Sequence, residues 1–103
     1  MGKYLLLLSL CAGPVVAERA LIPMDVEQRD HLKAYGVAFW SLEKGIAVEW
    51  LLNYRGGAFL LDYNGALVSE AQIRGVDLIV VSEAQAAQIY AEVDAGNMEV
   101  VRL

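Results

Sequence analysis

Hydrophobic positions along the chain change period several times, and each change marks an element. Residues 18–24 read as a short extended lead-in ending at Pro23-Met24. Asp25 then offers an N-cap, with Gln28 three residues on as its capping-box partner, and a helix is predicted to about Lys44. Leu32, Tyr35, Phe39 and Leu42 step by three, four and three and define its apolar face, which Val37, Ala38 and Trp40 widen. Gly45 supplies the stop. From Ile46 to Leu52 the period falls to two, with Ile46, Val48, Trp50 and Leu52 on one face of a strand and Ala47, Glu49 and Leu51 on the other. Asn53-Tyr54-Arg55-Gly56-Gly57 is a turn, and Ala58 to Leu61 a second strand, most simply its antiparallel partner.

Asp62 or Asn64 can cap a helix running to Arg74 and closed by Gly75. Val76 to Val81 is almost continuously apolar, the pattern of a strand buried in a parallel sheet. Ser82 and Gln85 form a second capping box, ahead of a helix to about Asp94 that turns Ala86, Ile89, Tyr90 and Val93 inward. Gly96 ends it, and Met98 to Leu103 is a last strand. The alternation of strands and helices predicts an α/β fold. The expectation is a small, mainly parallel sheet with strand–helix–strand crossovers and an N-terminal helix, belonging to a larger three-layer domain.

Residues 1–17 read differently. Met1-Gly2-Lys3 is a positive start, Tyr4 to Ala12 an apolar run, Pro14 a breaker, and Val15-Val16-Ala17 a small-residue exit. This is the layout of a secretory signal peptide, with cleavage expected after Ala17 and the product periplasmic or extracellular. The run is too short for a membrane span, which needs about 20 apolar residues. A buried N-terminal strand or helix is one alternative. A lipoprotein signal at Cys11 is another, opposed by Leu10, which is not the small residue that lipid attachment wants.

Composition then narrows the function. Thirteen acidic residues against eight basic ones give net charge −5, unlike a nucleic-acid binder or a polybasic membrane helix. Loss of residues 1–17 removes Lys3 and Cys11, the only cysteine, leaving no thiolate nucleophile or metal ligand. Roughly 55% of the remaining residues are apolar, a high share for so small a segment. With an apolar strand at the end of the sequence, this predicts a further C-terminal domain of the same protein as partner.

Candidate chemistry is sparse. His31 is the only histidine, with Glu27 four residues before it; one histidine without cysteine does not build a closed zinc site. No serine among Ser41, Ser69 and Ser82 sits on a nucleophile elbow. Asp25, Glu27, Asp30 and Asp62 read as helix-start acids. The ligand-binding candidate is the stretch Asn53, Tyr54, Arg55, Gly56 and Gly57, where glycine amides and a guanidinium could hold a small carboxylate or phosphate. A structural turn with Arg55 in an ion pair is the competing reading. Trp50 and Tyr54 beside it serve either as core or as pocket wall. No cofactor and no metal are expected, and membrane contact is expected only through the signal peptide.

Three stretches carry a resemblance: Leu21-Ile22-Pro23-Met24-Asp25, His31-Leu32-Lys33-Ala34-Tyr35-Gly36, and Glu49 through Phe59 (EWLLNYRGGAF). With Ile73-Arg74-Gly75-Val76 and Asn97-Met98-Glu99-Val100-Val101 they look like the N-terminal region of secreted bacterial proteins commonly labelled asparagine synthetase B. The resemblance covers nearly all of 18–103. It implies that the polypeptide continues into a flavodoxin-like, glutamine-amidotransferase-like domain, where an active site would lie downstream of Leu103. The label implies a glutamine-dependent ligase. Yet Gly2 stands where such enzymes carry their nucleophilic cysteine, export would leave Glu18 first, and Gly56-Gly57 lacks the serines and aspartate of an ATP loop. No catalytic residue carries over. The expected roles are a non-catalytic N-terminal segment of an exported protein, a secreted solute-binding or scaffold module using the Asn53–Gly57 loop, or part of an amidotransferase-type enzyme.

Overall fold

The computed structural model describes residues 18–96 and 98–103. The expected signal peptide, its cleavage point after Ala17 and the lipoprotein alternative at Cys11 lie outside them. In chain order the elements are β1 (Glu18–Ile22), α1 (His31–Glu43), β2 (Val48–Leu52), β3 (Ala58–Asp62), α2 (Gly65–Arg74), β4 (Ile79–Ser82), α3 (Glu83–Ala95) and β5 (Glu99–Arg102). The strands form one sheet in the order β4-β1-β3-β2-β5.

Every neighbouring pair in that sheet is antiparallel, which corrects the mainly parallel sheet expected from the strand–helix alternation. Each helix does join two strands of the same direction, but those strands are never neighbours. β3 lies between β1 and β2, β1 lies between β3 and β4, and α3 carries the chain from one edge of the sheet to the other. The alternation therefore reports direction correctly and adjacency wrongly. The first six elements have the split βαβ arrangement of ferredoxin-like folds, to which α3 and β5 add a second helical layer and a fifth strand.

The expected lead-in is an interior strand of this sheet. β1 is hydrogen-bonded to β3 on one side and β4 on the other, with Ala20 and Ile22 facing one core and Leu21 the other. On the first face Ala20, Ile22, Val48, Phe59 and Leu61 pack against α1 and α2. On the second, Leu21, Leu51, Ala58, Leu60 and Val81 meet Ala86, Ile89 and Val93 of α3. Helices thus cover both faces of an antiparallel sheet, which explains why its strands read as doubly buried. Val76–Val81 is not a central strand. Val76 is buried, Asp77 is turned to other partners, and the strand begins only at Ile79, on the edge, where Ile79 and Val80 are about two-fifths exposed.

Local chemistry sets the helix ends. Asn64 caps α2, its Oδ1 accepting from the Ala66 and Leu67 amides at 2.8 and 3.2 Å, and Gly75 closes it in the left-handed region at φ 71°. Ser82 and Gln85 make the reciprocal capping box of α3. Helix α1 departs from expectation: it starts at His31, and Asp30 is the cap, accepting from the Lys33 amide at 3.0 Å. Asp25 instead closes a tight turn, accepting from the Glu27 amide at 3.0 Å.

Gln28, released from the capping role, is buried and bridges two segments. Its Nε2 donates to the carbonyls of Pro23 and Asp77 at 2.9 and 3.0 Å, and its Oε1 accepts from the Asp77 amide at 2.8 Å. One side-chain amide thereby supplies the partners that a sheet neighbour would give to the backbone after β1 and before β4. Gln28→Leu strips those groups of partners in a buried setting and should lower unfolding free energy by about 2–4 kcal/mol in urea denaturation. Gln72→Leu on the exposed side of α2 should change it by less than about 0.5 kcal/mol.

Candidate functional site

In the Asn53–Gly57 loop every residue but Tyr54 has a positive φ: 67° at Asn53, 46° at Arg55, 79° at Gly56 and 90° at Gly57. It closes on itself through amides of Gly57 and Ala58 donating to the Tyr54 carbonyl. It is also docked onto the segment before α1. The Met24 amide donates to the Arg55 carbonyl at 3.0 Å, and a Cβ on Gly56 would fall 2.5 Å from the Met24 carbonyl oxygen, so only glycine fits there. The Arg55 guanidinium donates to Asp25 through Nε at 2.8 Å and Nη2 at 3.5 Å. His31 Nε2 lies 3.0 and 2.9 Å from the Met24 and Asp25 carbonyls, which only accept, so this nitrogen carries the proton.

These contacts bring the five candidate residues together but occupy the cation. Arg55, the group that would recognise an anion, is held by the Asp25 carboxylate. Trp50 donates from Nε1 to the Gly57 carbonyl at 2.9 Å, stacks near Phe59 and packs against the first core; Tyr54 packs against the second. Burial, then the charge of Glu92, raises the Tyr54 pKa above its ordinary 10.0.

Two further polar clusters are likewise internally matched. Between α2 and β4 runs a groove of about 320 Å³, walled by Val68, Val76, Leu78 and Val80 with Arg29 and Asp77 at its side. Arg29 donates to Asp77 from its amide at 2.8 Å and from Nε at 2.9 Å. On the α3 face, Arg19 donates to the Tyr90 hydroxyl at 3.2 Å, Tyr90 donates to Glu49, and Arg19 and Arg102 reach Glu49 at 3.5 and 3.8 Å. Burial and then the bond to Glu49 raise the Tyr90 pKa. No buried side-chain polar atom among the described residues lacks a partner, and none of the described His, Cys, Asp and Glu side chains cluster in threes as metal ligands.

The surface without such matching is the outer side of α1. The face expected to be core is turned outward: Leu32 is 82% exposed, Phe39 61%, Tyr35 51% and Leu42 37%. The helix lies on the sheet through Ala34, Val37, Ala38 and Ser41 instead. Both stripes are apolar, and the one with small side chains lets the helix approach the sheet closely. The buried Ser41 hydroxyl is satisfied by donating to the Val37 carbonyl at 2.8 Å. Trp40 borders the outer face under the Lys44 ammonium. Sequence reasoning found these residues and placed them on the wrong side. The signal available was size, since large side chains recur on one stripe and small ones on the other.

No protein-family model, curated protein or solved structure matches this chain.

The ion pairs make an acid-side prediction. The Arg55 guanidinium, then the Glu27 amide, hold the Asp25 carboxyl below its ordinary 3.8; the Arg29 amide and guanidinium do the same for Asp77. Folded values lie below unfolded ones, so the stabilisation is complete above the unfolded value and is lost as pH falls through 3.8 toward the folded values. The Asp25→Asn/Asp77→Asn variant should be less stable near neutrality yet lose less stability between about pH 5 and about pH 3. Chemical denaturation across that range checks it; parallel curves for variant and parent would contradict it.

Proposed function

We propose that residues 18–103 form a non-catalytic interaction domain of an exported protein related to the family labelled asparagine synthetase B. The observation that supports this reading is the outer face of α1, where Leu32, Tyr35, Phe39 and Leu42 present large apolar side chains to solvent along one stripe. Contiguous apolar surface of this kind marks a contact site on a folded protein. Three sets of groups that could perform acid–base or anion chemistry are engaged internally: Asp25 with Arg55, Arg29 with Asp77, and Glu49 with Arg19, Tyr90 and Arg102. A face that binds by burial needs no such groups; it needs exposed area on a rigid element, which α1 supplies.

Two measurements test the two halves of the reading. Folded protein should bind an apolar fluorescent dye. Leu32→Lys/Phe39→Lys should abolish that fluorescence with an unchanged circular dichroism spectrum; undiminished dye binding would overturn the assignment of the face. For export, N-terminal sequencing of protein recovered from outside the cytoplasm should begin at Glu18. Recovery from the cytoplasm with Met1 intact would overturn it.

A further inference from the structure

Resting on the assignment of α1 as the interaction face, we propose that its occupant is a second copy of this chain, with the two α1 helices packed antiparallel about a two-fold axis. The argument is the distribution of size and charge along the outer stripe. On the side opposite Ala34 and Ser41 lie Leu32, Gly36, Phe39 and Glu43, with Lys33 at the flank. A two-fold axis level with the Val37–Ala38 step sets Gly36 of one copy opposite Phe39 of the other, and does so twice. The Phe39 ring of each copy then meets the position with no side chain on the other. The Arg74 guanidinium, held by Glu70 at 2.8 Å, lies 3.0 Å from where a Cβ on Gly36 would stand, so it floors the Gly36 position. A phenyl ring laid over that guanidinium would turn its face to a cation, a favourable contact.

Charge agrees with the same register. The N-terminal half of the helix carries His31 and Lys33, and Glu43 stands on the outer face of its last turn. Antiparallel packing brings Lys33 of each copy beside Glu43 of the other and opposes the two helix dipoles. Parallel packing would set Lys33 against Lys33 and Glu43 against Glu43. This self-complementarity is what a two-fold interface requires, since each contact occurs in both directions. Helix α1 has 13 residues, about 20 Å of length, so one helix pair is smaller than a standard interface. The expected product is a reversible dimer with Kd in roughly the micromolar range.

Sedimentation velocity on the protein recovered from cells expressing the full chain tests this, read as monomer–dimer equilibrium over concentration. Lys33→Glu and Glu43→Lys should each weaken the dimer by about tenfold, and Lys33→Glu/Glu43→Lys together should restore it to within about threefold. Phe39→Asp should leave a monomer. All three positions are exposed, and circular dichroism verifies that each variant is folded. A monomer at every concentration overturns the proposal, as does a dimer that both single charge variants leave intact or that the double variant fails to restore. A monomer whose dye binding still depends on Phe39 would sink self-pairing while leaving the interaction face standing. A monomer without that dye binding would sink both.

Discussion

Helix α1 meets the sheet through Ala34, Val37, Ala38 and Ser41, and the smallness of those four side chains decides what the rest of the helix can do. Small residues let the helix axis come close to Ala20, Ile22, Val48 and Phe59 of the first core. A helix seated at that distance cannot also tuck Leu32 or Phe39 beneath itself, so its large apolar side chains point to solvent. Tyr35 marks the transition: half exposed, it still places its ring edge-on to Phe59 at 5.9 Å between centroids. The exposed apolar face follows from how the core is packed.

That seating depends on how the chain enters the helix. Between β1 and α1 the backbone makes no regular structure, and polar side chains from distant parts of the sequence fix it. Gln28 ties it to the segment after α2, Arg29 pairs with Asp77, and Asp25 pairs with Arg55 of the β2–β3 loop. His31, the first residue of the helix, donates back to the Met24–Asp25 carbonyls. The polar residues that stand out in the sequence of this region are thus engaged with one another and hold the segment in place. The loop at Asn53–Gly57 is held from below by Met24 and Asp25, and its only guanidinium serves that purpose.

Much of this was legible beforehand, for identifiable reasons. Short-range chemistry was readable: the Asn64 cap, the Ser82–Gln85 box, the Gly75 stop, the turn at 53–57 and the two faces of β2 all depend on residues within a few positions of one another. Misreadings arose wherever a partner lay far away. Gln28 sits at capping-box spacing from Asp25, but its partner is Asp77. The run Val76–Val81 looks like a central parallel strand because its first half is buried by core packing rather than by sheet neighbours. Adjacency in the sheet is not encoded by the order of strands and helices, so direction and the β2–β3 hairpin were recoverable and the antiparallel pairing of β1, β4 and β5 with their neighbours was not. The two stripes of α1 are both apolar, and periodicity alone does not say which one faces the sheet.

Hydroxyl-radical footprinting of dilute, monomeric protein tests the orientation of α1 most directly, because it reads solvent access at individual aromatic side chains. Phe39 and Tyr35 should oxidise readily, while Phe59, 4% exposed at the sheet surface beneath, should be protected until the protein unfolds. Protection of Phe39 equal to that of Phe59 under those conditions would mean that the helix is turned the other way, and the account would be wrong.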